Sequence, residues 1–183
     1  MIENIIAYHC GPALAGIKPS NIASCNKGSM PDIDKDVKRL NSELNSSDIY
    51  IEILCECEKR ALIAVYRKNV LKKHLHKREM RKFLCGFGYP EHGSVADYIE
   101  VLRKRLREEK FPHEIGVFLG YPLHDIHGFI YHPDEGCLLT GEWKVYKDEE
   151  EAKKLFLRYR ACRKAIVKRI KNGSTLAQIF CAS

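Results

Sequence analysis

The strongest hydrophobic pattern in the chain is a helical stripe near its C-terminus. Acidic residues fill positions 148–151, basic residues dominate the following turns, and Asn172-Gly173 supplies a C-cap. This order of charges complements the helix dipole, and glycine is favoured just after a helix end. We therefore predict a long C-terminal helix over residues 148–171. Its predicted buried face consists of Ala152, Leu155, Phe156, Tyr159, Cys162, Ile166 and Ile170.

Three earlier segments also place apolar residues at helical spacing. The first begins after Pro31 and ends at residues 45–47, where Asn-Ser-Ser interrupts it. The second covers residues 69–87 and predicts a helix or a broken pair of helices. The third follows Ser94, a favourable N-cap residue. The apolar positions of the first and third segments are Val37, Leu40, Leu44, Val95, Tyr98, Ile99, Leu102 and Leu106.

Other segments have the composition of strands. Residues 50–55 and 60–67 are β-rich and flank a short polar connection, which predicts a hairpin. Four more strands are predicted at residues 5–8, 114–120, 128–131 and 137–146. Because several strands are connected as hairpins, we expect an α+β (mixed α/β) fold with a mixed or mainly antiparallel sheet covered by helices. The length fits a single domain over residues 1–183.

Composition and charge narrow the class of protein. The chain is 45% hydrophobic and 30% charged, as in ordinary globular proteins. It has no apolar run of the ~20 residues that a membrane helix needs, and Glu3 stands where a secretory signal carries basic residues. We therefore expect a cytoplasmic protein without membrane contacts.

The net charge of +7 favours anionic partners. Basic residues cluster at residues 68–82 and along the final helix, where they could contact phosphates. No motif of a nucleic-acid-binding module accompanies them. Solvated helix faces are the simpler interpretation, and nucleic acid binding is the third-ranked hypothesis for this chain.

Eight cysteines are many for this length. They form no C-x-x-C pair, and Cys55-Glu56-Cys57 is a C-x-C, so a zinc ribbon is not indicated. In a reducing compartment free thiols are the default. We expect no structural disulfides among the cysteines at positions 10, 25, 55, 57, 85, 137, 162 and 181.

Three segments carry residues suited to chemistry. His9 and Cys10 precede Gly11-Pro12 and could form a nucleophile and its base at a turn, with Lys18 lowering the thiol pKa. The alternative is a buried cysteine beside a hydrogen-bonded histidine. His113-Glu114 could be an acid–base pair, but Val117 stands where a zinc-protease motif would have its second histidine.

Two further groups could bind a ligand. His124, His127 and His132, with Asp125 between the first two, could ligate a metal, although strand and turn geometry would scatter them, so no metal site is predicted. Trp143 with Lys144 could stack on a planar ligand and pair with its anionic group. The alternative for a lone tryptophan is a place in the core.

Three separated stretches also carry a resemblance. Residues 9–19 read HCGPALAGIKP, residues 111–122 read FPHEIGVFLGYP, and residues 141–146 read GEWKVY. Together they resemble a bacterial domain-of-unknown-function family, numbered 3793, of strict anaerobes. The resemblance spans nearly the whole chain and implies a stand-alone cytoplasmic protein. It carries no activity, but the family's association with iron and flavodoxin genes implies a flavodoxin-type redox protein as a partner.

Two functional hypotheses follow. The first is a protein that binds a small planar anionic ligand or cofactor, of haem or flavin type, in redox or iron metabolism; its ligand-binding residues would be Lys18, Tyr121, Trp143 and Lys144. The second is a thiol-dependent transferase or hydrolase; its catalytic residues would be Cys10, His9, His113 and Glu114. We expect the three stretches to meet around one pocket and Cys10 to be the most reactive thiol.

Overall fold

The computed structural model describes residues 2–181, and its central element is a three-stranded antiparallel sheet. The strands are β1 (Ser20–Asn26), β2 (Ile49–Glu56) and β3 (Arg60–Arg67), in the order β1-β3-β2. Ser20 pairs with Tyr66 and Ile49 with Arg67, and a register shift lies between Ile53 and Cys55. The predicted hairpin of β2 and β3 is confirmed, and so is the α+β class with an antiparallel sheet.

The central strand β3 separates two hydrophobic clusters because its side chains alternate between the two faces of the sheet. Ala61, Ile63 and Val65 face one cluster, while Ala64 and Tyr66 face the other. On the first face the sheet packs against α1 (Ile2–Leu14), α2 (Ile33–Leu44) and α9 (Leu176–Phe180). On the second face lie α3 (Lys68–Leu75), α4 (Arg78–Cys85), α5 (Val95–Arg105), α6 (Ile115–Phe118) and α7 (Leu123–Tyr131).

A third cluster joins a small hairpin to the longest helix. The hairpin consists of β4 (Leu139–Thr140) and β5 (Lys144–Val145), and the helix is α8 (Glu149–Lys171). Trp143 and Val145 pack there against Ala152 and Tyr159 of α8. The prediction of a long C-terminal helix is confirmed, as are α2, the broken pair α3 and α4, and α5, whose capping box is formed by Ser94 and Asp97.

The N-terminal segment differs from the prediction. The strand expected at residues 5–8 and the turn expected at Gly11-Pro12 are both part of α1. A Cβ atom at Gly11 would lie 3.3 Å from the Cα of Arg163 and 3.2 Å from Ile166 Cδ1. This glycine therefore permits the close approach of α1 to α8. The helix ends at Leu14, and two residues later Gly16 has a φ of +73°, a left-handed conformation that glycine adopts freely.

Two further strand predictions are wrong, and a third is only partly right. Residues 115–118 form the single turn α6 and residues 123–131 form α7, while residues 137–146 contain only the two-residue strands β4 and β5. Short apolar runs bounded by glycine do not distinguish a buried strand from a buried helical turn. Among residues 2–181, no helix is both long and apolar enough to span a membrane.

Candidate functional site

A buried carboxylate attaches the small hairpin to α7. Asp125, in the first turn of α7, is 2% exposed. It accepts hydrogen bonds from Trp143 Nε1 at 2.7 Å, from the Tyr146 backbone N–H at 2.7 Å and from the Lys147 backbone N–H at 3.2 Å. Because one side chain satisfies three donors of the hairpin, it fixes both the backbone and the indole ring.

The fixed indole forms one wall of a cavity of about 360 Å³. Tyr121 lies against Trp143 with ring centroids 4.8 Å apart and planes inclined by 31°. Phe129 of α7 and the exposed Phe111 supply two more aromatic surfaces, so four rings line the cavity. We call this space the aromatic cavity. Its aliphatic lining consists of Ile22, Ile115, Leu119 and Ile126.

Two basic side chains lie at the aromatic cavity. The His113 ring packs edge-on against Phe129, with centroids 5.0 Å apart. Lys144 Nζ lies 5.6 Å from the centre of the same ring and donates a hydrogen bond to the Pro133 carbonyl at 2.9 Å. Imidazole and ammonium groups are donors suited to an anionic substituent on a ligand.

A buried lysine lies behind the Tyr121 wall. Lys18 is 2% exposed, and its Nζ lies 5.2 Å from the Tyr121 ring and 5.5 Å from the Tyr159 ring. Burial lowers the pKa of Lys18 to about 8, an effect that the charge of Glu142 partly opposes. Lys18 is not among the residues that line the aromatic cavity. It therefore supports the tyrosine from behind.

An ion pair completes the surroundings of Lys18. Both terminal nitrogens of Arg163, Nη1 and Nη2, donate to the Glu142 carboxylate, and the Nη1–Oε1 distance is 2.7 Å. The Tyr121 hydroxyl donates to the Glu142 carbonyl at 3.1 Å. Burial alone would raise the pKa of Glu142, but the bonds and charge of Arg163 hold that pKa below its usual value.

The three stretches that resemble the family (residues 9–19, 111–122 and 141–146) meet around the Tyr121 side chain. Lys18 comes from the first, Tyr121 from the second and Glu142 from the third. The first two stretches also touch at Gly120, where a Cβ atom would lie only 2.5 Å from Pro19 Cδ. The glycine and polar residues of these stretches therefore form close contacts among the three segments.

Of the predicted site residues, four lie together at the aromatic cavity: His113, Tyr121, Trp143 and Lys144. Glu114, although adjacent to His113, is buried elsewhere. It accepts a hydrogen bond from the Tyr89 hydroxyl at 3.3 Å and forms an ion pair with Arg105. His113 and Glu114 therefore do not form an acid–base pair, because they lie in different surroundings.

Cys10 and His9 are also separated. Adjacent positions on a helix lie about 100° apart, so Cys10 is fully buried in the core while His9 is exposed. Burial raises the pKa of the Cys10 thiol, and the nearby charge of Lys18 opposes this only in part. The expectation of a surface turn at Cys10 is wrong, and burial outweighs the nearby charges that would favour a thiolate.

We expect Cys57 to be the most reactive thiol of the chain. It is exposed at the β2–β3 turn, where hydrogen bonds from the backbone N–H groups of Lys59 and Arg60 lower its pKa. In competitive labelling with limiting iodoacetamide, read by peptide mass spectrometry, Cys57 should react roughly tenfold or more faster than Cys10. In urea the two rates should become similar. Equal rates in the native protein would contradict the burial of Cys10.

The histidines at positions 124, 127 and 132 line an open surface groove beside Tyr146. In the described part of the chain, no three His, Cys, Asp or Glu side chains are arranged to hold a metal ion. Asp125, which the sequence groups with these histidines, lies 3.5 Å from His124 Nε2, but its hydrogen bonds come from the hairpin. The sequence predicts neither the role of Asp125 in holding the hairpin nor the position of Phe129 at the aromatic cavity. For Asp125, the one local signal is a carboxylate within an apolar helical segment.

Comparisons with known proteins give one result. Neither the curated proteins nor the solved structures contain a match to the chain. The sequence profile of a family described as a protein of unknown function, DUF3793, matches residues 6–180. Since the match covers nearly the whole chain, the protein belongs to the DUF3793 family.

Proposed function

We propose that this protein binds a planar, conjugated ring compound with an acidic substituent, of flavin type, in the aromatic cavity. The observation that carries the proposal is the combination of four aromatic rings with His113 and Lys144 at one cavity. Aromatic walls contact a flat ring system over its faces. The two basic groups would pair with the acidic substituent, as Lys144 already approaches the cavity over Phe129.

The size of the cavity favours a flavin over a haem. Ligand sites in proteins commonly have volumes of about 300–1,000 Å³, and the aromatic cavity, at about 360 Å³, is near the lower end. A fused three-ring system fits such a space better than a tetrapyrrole does. A bound flavin would give the protein a redox role. The family resemblance suggests a flavodoxin-type protein as its redox partner.

The cavity is also preorganised. Trp143 is held by Asp125 on one side and packs edge-on against Phe156 on the other, with centroids 4.6 Å apart. Tyr121 is held through its hydroxyl by the Glu142 carbonyl. Binding then requires little ordering of the walls, which lowers its entropic cost.

Titration with riboflavin 5′-phosphate tests the proposal, and Trp143, the only tryptophan, reports binding through quenching of its fluorescence. We expect Phe129→Ala and Lys144→Gln each to weaken binding roughly tenfold, because each removes a stacking or charged contact worth about 1.4 kcal/mol. Phe87→Ala and Lys147→Gln, which change residues outside the cavity, serve as matched controls.

Three results would contradict the proposal. The first is the absence of quenching by riboflavin 5′-phosphate. The second is an equal loss of affinity in the cavity variants and their controls. The third is quenching by hemin alone, with the same variants affected, which would replace the flavin-type ligand by a haem.

A further inference from the structure

A second cavity lies between α1 and α8. Its volume is about 570 Å³, within the range of ligand sites. It shares no lining residue with the aromatic cavity. We call it the cationic cavity. Its lining consists of Tyr8, His9, Arg160, Arg163, Lys164 and Val167.

Ion pairs compensate only part of the positive charge of this cavity. Of its three strongly basic residues, only Arg163 forms an ion pair with a carboxylate in the part of the chain that the structure describes. Arg160 and Lys164 are exposed, and their spacing of four places them on the same face of α8. From position 152 to the end of α8 the helix carries no acidic residue. The cavity therefore attracts anions.

An exposed aromatic ring lies beside these cations. Tyr8 is 62% exposed, and its ring meets the His9 ring edge-on at 4.8 Å between centroids. Val167 adds an apolar surface. A free phosphate ion would use only the basic side chains, whereas a phosphorylated ring compound would also cover the tyrosine face.

We propose that the cationic cavity binds a phosphorylated aromatic compound of the mononucleotide class. The phosphate pairs with Arg160 and Lys164, since guanidinium and ammonium groups form charge-assisted hydrogen bonds to phosphate oxygens. The base stacks on the ring of Tyr8, and the His9 ring, inclined by 85° to Tyr8, lies beside it. Two free cations between two helices suit one phosphate group better than the extended phosphate row of a nucleic acid.

Isothermal titration calorimetry of the full chain with adenosine 5′-monophosphate tests this site. We expect Arg160→Gln/Lys164→Gln to weaken binding roughly 30-fold, because both phosphate contacts are lost. The matched control is Arg158→Gln/Lys168→Gln, which removes the same charge from exposed positions of α8 outside the cavity. Tyr8→Leu should weaken binding of the nucleotide about tenfold and leave binding of inorganic phosphate unchanged.

The alternatives give different results. No heat from the nucleotide, or an equal loss in the cavity variant and its charge-matched control, would overturn the proposal. Tighter binding of a single-stranded oligonucleotide that depends on all four basic residues would replace it by a nucleic-acid surface. Lys144→Gln should leave nucleotide binding intact, so this site and the aromatic cavity can fail independently.

Discussion

Asp125→Ala is expected to lower the free energy of unfolding by about 3 kcal/mol. The substitution leaves Trp143 Nε1 and the backbone N–H groups of Tyr146 and Lys147 without their acceptor. Each buried donor left unsatisfied costs about 1–3 kcal/mol, less wherever water enters. The affinity of the aromatic cavity should fall as well, because the indole is no longer fixed.

Urea unfolding followed by circular dichroism measures the loss. Asp134→Ala, at an exposed position, is the matched control and should change the stability by less than about 0.5 kcal/mol. Asp125→Asn should be intermediate, since its amide offers one acceptor oxygen in place of two. If Asp125→Ala unfolds at the urea concentration of the control, Asp125 does not hold the hairpin.

Lys18→Met is expected to raise the free energy of unfolding at pH 7 by about 2 kcal/mol. Burial lowers the pKa of Lys18 from 10.5 to about 8, and each pKa unit corresponds to about 1.4 kcal/mol. The charged amine is therefore costly in the folded protein. Methionine retains the length of the side chain, and the loss of the cation–π contacts with Tyr121 and Tyr159 offsets part of the gain.

The effect should depend on pH in a defined direction. Between pH 8 and 10.5 the folded protein releases the Lys18 proton while the unfolded chain still binds it. The wild type then gains stability as the pH rises, and its difference from Lys18→Met shrinks. Lys147→Met, at an exposed position, should show no such convergence. A variant less stable than the wild type at pH 7 would show that the buried amine is stabilising.

The elements that the sequence predicts correctly have local signals. α8 combines an apolar stripe with a charge gradient, α5 begins with a capping box, and the β2–β3 hairpin has two β-rich runs around a polar turn. Each signal lies within the element it specifies. Such patterns do not depend on the rest of the fold.

The elements that the sequence does not predict depend on contacts between residues far apart in the chain. Gly11, considered with its sequence neighbours alone, indicates a turn. In the structure it is within a helix, and α8 packs so close to it that there is little room for a side chain. Gly128 is likewise within α7, where a Cβ atom would overlap the Tyr146 ring at 2.4 Å. A glycine required by a partner far along the chain has the same local appearance as a glycine required by a turn.

The residues of the candidate site also differ in whether the sequence alone indicates them. His113, Tyr121, Trp143 and Lys144, which the sequence assigns to two different hypotheses, line the same cavity because they lie in stretches that meet. The His9-Cys10 pair suggests a reactive thiol at Cys10. The reactivity of a thiol depends on its burial, however, and two neighbouring residues do not indicate whether a side chain is buried. The bond between Asp125 and Trp143 joins two elements 18 residues apart, and neither residue by itself indicates it.

The packing of α1 against α8 also affects how the chain folds during synthesis. At about 5–20 residues per second, roughly 7 to 30 s separate translation of the end of α1 from translation of the start of α8. During that interval the surface around Gly11 has no partner, and the Glu3 carboxylate cannot accept its bond from the Leu176 backbone N–H. The N-terminal helix therefore lacks part of its packing surface and one of its hydrogen-bond partners until the last helices have been translated.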